Sequence, residues 1–228
     1  MNFLQDVLHL FFPKICITCD IKLLQPEKII CTLCRHDLPI ICYTNYENNK
    51  ITKAFYGRIP IEKATSFLFY RKEGKTKKLI HALKYKGNQE VGNFIGDWFG
   101  GILKDSSEFK DIDCIIPVPL HPKKQRKRGY NQLTTFGLRL SEHLTKPYLE
   151  DVLIRTSASK TQTFKQRFER FSNNSTKFSV PDPSIIKNKH ILLVDDVITT
   201  GATLESCCKE LLNSESIKIS IVTMAYTE

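Results

Sequence analysis

The chain lacks several things that would place it elsewhere. Nothing in its 228 residues approaches the ~18 consecutive apolar residues of a membrane-spanning helix. It has no basic leader and no small-residue cleavage site; the apolar start, MNFLQDVLHLFFPK, is interrupted by Asp6 and His9. That start reads instead as a short amphipathic helix with Phe3, Leu4, Val7, Leu8 and Phe11 on one face. With no secretory route, the eight cysteines are expected to be reduced, in the cytoplasm. Acid is also scarce: 24 Asp+Glu stand against 34 Lys+Arg, a net charge of +10. That surplus favours polyanions, either nucleic acid or a phosphorylated small molecule. Hydrophobic residues are not scarce; at 41% they suffice for a packed core and exclude a disordered polymer.

What is present begins with cysteine spacing. Cys16-x-x-Cys19 and Cys31-x-x-Cys34 are two knuckles with eleven residues between them. Each presents two thiolates from a tight turn, and together they complete a tetrahedron for zinc. Cys42 and His36 are available as substitutes, but four thiolates already fill the site. Few large residues lie nearby, so the segment needs a staple, and a closed four-thiolate site is structural. Residues 1–45 are therefore expected to form an N-terminal helix and zinc ribbon, residues 46–58 a polar linker, and residues 59–228 the main domain.

In the main domain a strand is expected in EKATSFLFYRK, followed by two helical patterns. In the clearer one Val91, Phe94, Ile95, Trp98, Phe99, Ile102 and Leu103 recur at three and four, a core-facing stripe. From Asp113 strands and helices alternate. CIIPVPL, YLEDVLI, HILLVDD and IKISIVTMAY read as strands; Asn131 to Leu144 and Ala202 to Leu212 read as helices. This predicts an α/β fold, a parallel sheet with helices on both faces. Ligands of such sheets bind at the carboxyl ends of strands.

HILLVDDVITTGAT, His190 to Thr203, ends a buried strand in two acids and a hydroxyl-rich turn. The turn opens a helix, whose first N–H groups are unpartnered and whose dipole is positive there. Gly201 lets backbone approach, and the threonines add donors, so the turn suits a phosphate. Asp195 and Asp196 suit hydroxyls, or a metal between them. A phosphate beside a diol describes a ribose 5-phosphate. The acid pair also reads as the Walker B strand of an NTPase, but no matching phosphate loop exists: at Gly74-Lys75-Thr76, Phe69 stands where the first glycine belongs. A plain surface turn with a helix cap accounts for Thr200 or Thr203 but not for the convergence of acids and threonines. In PVPLHPKKQRKRGYNQ, five of the six residues from Lys123 to Arg128 are basic, just past a strand end. Arg126 and Arg128 can fork a phosphate, and Lys123 and His121 stand beside them.

HILLVDDVITTGAT resembles the phosphoribosyl-pyrophosphate loop of type I phosphoribosyltransferases. That resemblance implies that Asp195 and Asp196 hold the ribose hydroxyls and that Val197 and the stretch Thr199, Thr200, Gly201, Ala202 and Thr203 form the 5′-phosphate loop. It implies Mg²⁺ with the ligand. It also implies a mobile hood after YLEDVLI, in IRTSASKTQTFKQRFERFSN, with Arg155 and Gln162 as contacts. Taken whole, the cysteine knuckles, LKYKGN, PVPLHP with RGYNQ, the RT and TQT segment and LVDDVITTGAT resemble the ComF/GntX family. These pair a zinc ribbon with a phosphoribosyltransferase-like domain and are linked to natural competence. The implied fold is a type I phosphoribosyltransferase-like sheet preceded by a zinc ribbon. The implied function is phosphoribosyl-pyrophosphate binding in DNA uptake, with the acceptor open. The alternative is a non-enzymatic adaptor for single-stranded DNA or DNA-uptake proteins. In it the ribbon, the 123–128 run, Arg71, Lys72, Lys75, Lys77 and Lys78 follow a phosphate backbone, and Tyr85 and Tyr130 stack bases.

Overall fold

The computed structural model describes residues 13–43, 45–156 and 177–227. The expected amphipathic helix at the start and most of the expected hood, Gln162 included, lie outside the described residues.

Four strands form one parallel sheet: β1 (Ala64–Tyr70), β2 (Cys114–Pro117), β5 (His190–Ile198) and β6 (Lys218–Thr227), in the order β1-β6-β5-β2. Ile191, Leu192, Leu193 and Val194 are all buried, so successive side chains meet cover on both faces of β5. This matches the near-continuous apolar run HILLV and the expected fold class. No helix of the described residues is long and apolar enough to cross a membrane.

Both sheet edges are covered by short segments. Beside β1, Ile41 N–H donates to Phe67 O at 2.8 Å and Phe69 N–H to Pro39 O at 2.8 Å. Beside β2, Ile115 N–H donates to Pro147 O at 2.9 Å and Leu149 N–H to Ile115 O at 2.8 Å. The second contact corrects the expectation for YLEDVLI. Only Tyr148 bridges to the main sheet, and the chain then leaves it. Glu150 and Asp151 are exposed, and the Thr134 hydroxyl donates to Glu150 at 2.8 Å; two carboxylates cannot continue into a buried strand. The next strand, β3 (Ile154–Thr156), pairs antiparallel with β4 (Lys177–Ser179) in a separate two-stranded sheet.

Two α-helices lie between β1 and β2: α3 (Lys75–Tyr85) and α4 (Glu90–Asp105). The expected stripe on α4 is observed at Val91, Ile95, Phe99 and Leu103, all buried, whereas Ile102 is exposed. A second face of α4 packs on α6 (Thr134–Leu144). There Gly96 allows the close approach: a Cβ on it would come 2.7 Å from Arg139 Cβ and 3.0 Å from Phe136 O.

The polar stretch 46–58, expected to be a linker, is folded. Asn49 and Thr52 form a capping box on α2 (Lys50–Lys53), and Asn49 also donates to Ala64 O at 2.8 Å. Ile51 and Phe55 are fully buried in the core. Its composition hides this, because the Asn49 side chain is bonded to backbone groups within the fold.

Near the N-terminus, α1 (Thr32–His36) starts at Cys31, and the chain packs against α3. Lys75 Nζ donates to Asp37 Oδ2 at 2.8 Å, Lys78 Nζ donates to Thr18 O at 2.5 Å, and the Arg35 guanidinium lies 4.4 Å from the Trp98 ring centre on α4.

Candidate functional site

The cysteine group forms as its spacing implies. The sulfur atoms of Cys16, Cys19, Cys31 and Cys34 all lie within 4.8 Å of one another, with Cys19 and Cys31 at 3.7 Å. Thiolates about 2.3 Å from a central zinc sit roughly 3.8 Å apart in a tetrahedron, so this set fits such an ion. Backbone N–H groups point at two sulfurs: Cys31 N–H at Cys16 Sγ (3.4 Å) and Cys34 N–H at Cys31 Sγ (3.5 Å). Burial opposes ionisation of Cys16, but the Thr18 hydroxyl and backbone N–H groups bring its thiol down to about 6. Cys42 is exposed, and His36 is exposed and paired with Asp37 at 3.5 Å; neither joins the group.

The second site lies at the carboxyl end of β5. The strand runs past the aspartates through Ile198, so Asp195 and Asp196 are neighbours within a pleat and point to opposite faces. Thr199 and Thr200 then turn into α7 (Ala202–Leu211) through Gly201, whose φ is +74°. Gly201 at the cap position offers α7 no side chain; Ala202 N–H reaches the Thr200 hydroxyl at 3.4 Å, and the next N–H groups of the turn have no side-chain cap. A small cavity of about 40 Å³ is lined by Asp195, Val197, Thr199, Thr200, Gly201, Ala202, Thr203 and their neighbours.

Asp195 therefore shares a cavity with the turn, and Asp196 does not. Burial, reinforced by the adjacent Asp196 charge, pushes the Asp195 carboxyl up to about 8, against the pull of Lys84 and Arg155. Arg155, on β3, stacks on Phe178 with its guanidinium 5.6 Å from the ring centre. Asp196 is buried, with both carboxylate oxygens engaged: Lys84 Nζ donates to Oδ1 at 2.7 Å and Gln132 Nε2 to Oδ2 at 2.8 Å.

The basic run forms α5 (Pro122–Arg128), next to the end of β2. His121 caps that helix, its Nδ1 accepting from Lys123 N–H at 3.1 Å. Lys123 and Arg126 are exposed and form no ion pair among the described residues. Arg128 turns inward: Nη1 donates to Gln132 Oε1 at 2.6 Å, and the guanidinium lies 5.3 Å from the Tyr85 ring centre. The Tyr130 hydroxyl donates to Leu83 O. A polar chain thus runs from Tyr85 and Arg128 through Gln132 to Asp196 and Lys84. The sequence gives Lys84 and Gln132 no distinguishing mark. The signal for them lies in LKYKGN and RGYNQ, which bring a lysine and a glutamine to the same carboxylate.

A model of the phosphoribosyl transferase domain matches residues 134–227, a span that holds α6, β5, the turn and α7. Competence protein F of Haemophilus influenzae is 36% identical over 122 residues, 51% of this chain and 52% of that protein. Competence protein ComFC of Bacillus subtilis is 27% identical over 220 residues, 92% of this chain and 85% of that protein. The chain thus spans about half the length of the first relative. Among solved structures, the glutamine phosphoribosylpyrophosphate amidotransferase of B. subtilis superposes with a TM-score of 0.41 at 16% identity. That match covers 62% of this chain and 30% of that one.

Proposed function

We propose that this ComF-family chain, with its phosphoribosyltransferase-like domain, binds phosphoribosyl pyrophosphate with Mg²⁺ at the end of β5 and acts in DNA uptake in the cytoplasm. One observation carries the reading: a single cavity is lined by the Asp195 carboxyl and the first turn of α7, a partner for a hydroxyl and an anion cradle side by side. Thr199 to Thr203 take the 5′-phosphate with backbone N–H groups and hydroxyls. Asp195 accepts from a ribose hydroxyl. Asp196 orders the neighbouring wall through Lys84 and Gln132.

The diphosphate side faces α5, where Lys123, Arg126 and Arg128 supply positive charge as a leaving group departs. In an enzyme a nitrogen nucleophile forms the new bond to the anomeric carbon while the carbon–oxygen bond to diphosphate breaks. Mg²⁺ uses one or two carboxylates plus substrate phosphates; Asp195 is the acid facing the cavity, the ion's charge would displace its proton, and the ion would neutralise diphosphate charge. Arg155 is a further contact of the sugar in this reading. The four thiolates hold a structural zinc.

A DNA-handling reading is favoured by a different observation. A cavity of about 410 Å³ between the ribbon and α3 is lined by Lys72, Lys77, Lys78, His81 and Lys86 along with Asp20 and Glu73. Lys75 and Lys78 are engaged with the ribbon, which leaves Lys72, Lys77 and Lys86 for a phosphate backbone.

Calorimetric titration with phosphoribosyl pyrophosphate, with and without Mg²⁺, tests the first reading. Saturable Mg²⁺-dependent binding is expected, with a stabilisation of about 2.7 kcal/mol at a hundred times the dissociation constant. A folded protein that binds no sugar ligand overturns it. Titration with single-stranded DNA across a salt series tests the second, which requires affinity falling steeply with salt.

A further inference from the structure

The phosphate cradle carries an acid that works against it. Glu205 stands in the first turn of α7, where a carboxylate suits the helix dipole but repels an anion docking at the same N-terminus. That charge is clamped on both oxygens. Arg58 Nε donates to Glu205 Oε2 at 2.9 Å, Arg58 Nη2 donates to the same oxygen, and Lys209 Nζ donates to Oε1 at 2.6 Å. Lys209 and Arg58 together hold the Glu205 carboxyl below its usual range, as such close cations should.

Arg58 does more than neutralise. Its Nη1 donates to Ala54 O and to Thr200 O, each at 3.0 Å. Thr200 is in the turn itself, and a carbonyl oxygen tied to a guanidinium cannot face an anion. Beneath the turn lies fully buried Phe55, three residues before Arg58; a Cβ on Gly201 would come 2.8 Å from its ring. The segment 46–58 thus reaches the site twice, through a ring and through a charge.

We propose that Arg58 is a positioning residue of the phosphate site, which it serves by cancelling Glu205 and holding the Thr199 to Gly201 turn, without touching the ligand. This rests on the reading that the turn holds a sugar phosphate. The test is calorimetric titration of ribose 5-phosphate, and of phosphoribosyl pyrophosphate with Mg²⁺, into wild type, Arg58→Met, Glu205→Gln and the double variant. Arg58→Met should lose about tenfold in affinity for both ligands. The double variant should recover most of that loss, because the uncompensated acid is gone, and Glu205→Gln alone should stay within about twofold of wild type.

A role confined to folding would leave the double variant as weak as Arg58→Met, and that result overturns the proposal; so does an Arg58→Met variant that binds like wild type. If Arg58→Met does not fold, Lys209→Met removes the other cation from an exposed position. It should cost about threefold in affinity with Glu205 present and nothing in a Glu205→Gln background. Equal losses in both backgrounds overturn the proposal. A wild type that binds neither ligand overturns the phosphate reading itself, whereas binding by wild type with no effect of these substitutions overturns only the role of Arg58.

Discussion

Asp195 and Asp196 differ by one position and meet different physics. Asp196 meets Lys84 in a nearly buried pair, with side chains 10% and 21% exposed. Removing one partner of such a pair leaves a charge without compensation. Lys84→Met should therefore lower stability by about 3 kcal/mol, read as a lower denaturation midpoint at unchanged slope. Among the described residues Asp195 has no ion pair so close, its Oδ1 accepting only from Asp196 N–H at 2.8 Å, and burial keeps its proton on up to about 8. The unfolded chain releases that proton near 3.8, so between the two values the folded state binds one proton more. Stability from this group is then highest in acid and falls as pH rises through that window. Asp195→Asn should melt above wild type at pH 8, with the gap narrowing toward pH 4, while losing the sugar ligand; a gap that ignores pH counts against the assignment. The acid pair was legible in sequence because apolar strands rarely end so. Its division between two faces was not, because that depends on how far the strand runs: one that stops at the acids, as HILLVDD does, lets both surface into the turn, whereas one running to Ile198 alternates them.

Helix α4 shows what periodicity reveals and conceals at the scale of an element. Its apolar stripe is a signal of period 3.6 and predicts the buried face directly. Its contact with α6 is marked by an absence of side chains instead, which no hydrophobic pattern registers. Gly96 and Gly101 separate the two effects. Alanine is the better helix former by roughly 1 kcal/mol at either position. At Gly101 a Cβ meets nothing within 4 Å, so Gly101→Ala should stabilise by about that amount. At Gly96 the added carbon would stand 2.7 Å from Arg139 Cβ and 3.0 Å from a backbone oxygen, so the helices must part. Overpacking of this kind costs about 1–3 kcal/mol, which outweighs the propensity gain, and Gly96→Ala should be destabilised. Chemical denaturation of the two variants checks both signs. Helix α3 was equally legible as a helix, but its attachments were not. Lys75 meets Asp37 across 38 positions and Lys84 meets Asp196 across 112, and no local pattern carries pairings of that range.

Those two attachments link the parts of the whole molecule. The ribbon docks on the first half of α3, and the acid pair is reached from its last turn. Lys75 and Lys84 are nine positions apart, about 14 Å along the helix. A parallel sheet from alternating strands and helices followed from sequence because each strand is buried on both faces and reads as an apolar run. The edge segments 39–41 and 147–149 did not, since one bridge apiece leaves no periodicity. Segment 39–41 matters here because it fastens the ribbon to β1 through backbone hydrogen bonds that need no metal. Zinc removal should therefore act locally. The ribbon's own buried set is small, chiefly Cys16, Ile29, Ile30, Cys31, Cys34 and Leu38, and cannot hold together without a staple. If the four thiolates hold zinc as proposed, Cys31→Ser should release it and expose amides over residues 15–38 to fast hydrogen exchange. Exchange along β5 and β6, buried and paired on both sides, should stay slow. Because Lys84 grips Asp196 from the far end of α3, sugar-ligand affinity should fall only a few-fold in the same variant. Stoichiometric zinc retained by Cys31→Ser would show that the ligand set is wrong; loss of protection along β5 would show that the ribbon and sheet fold as one unit.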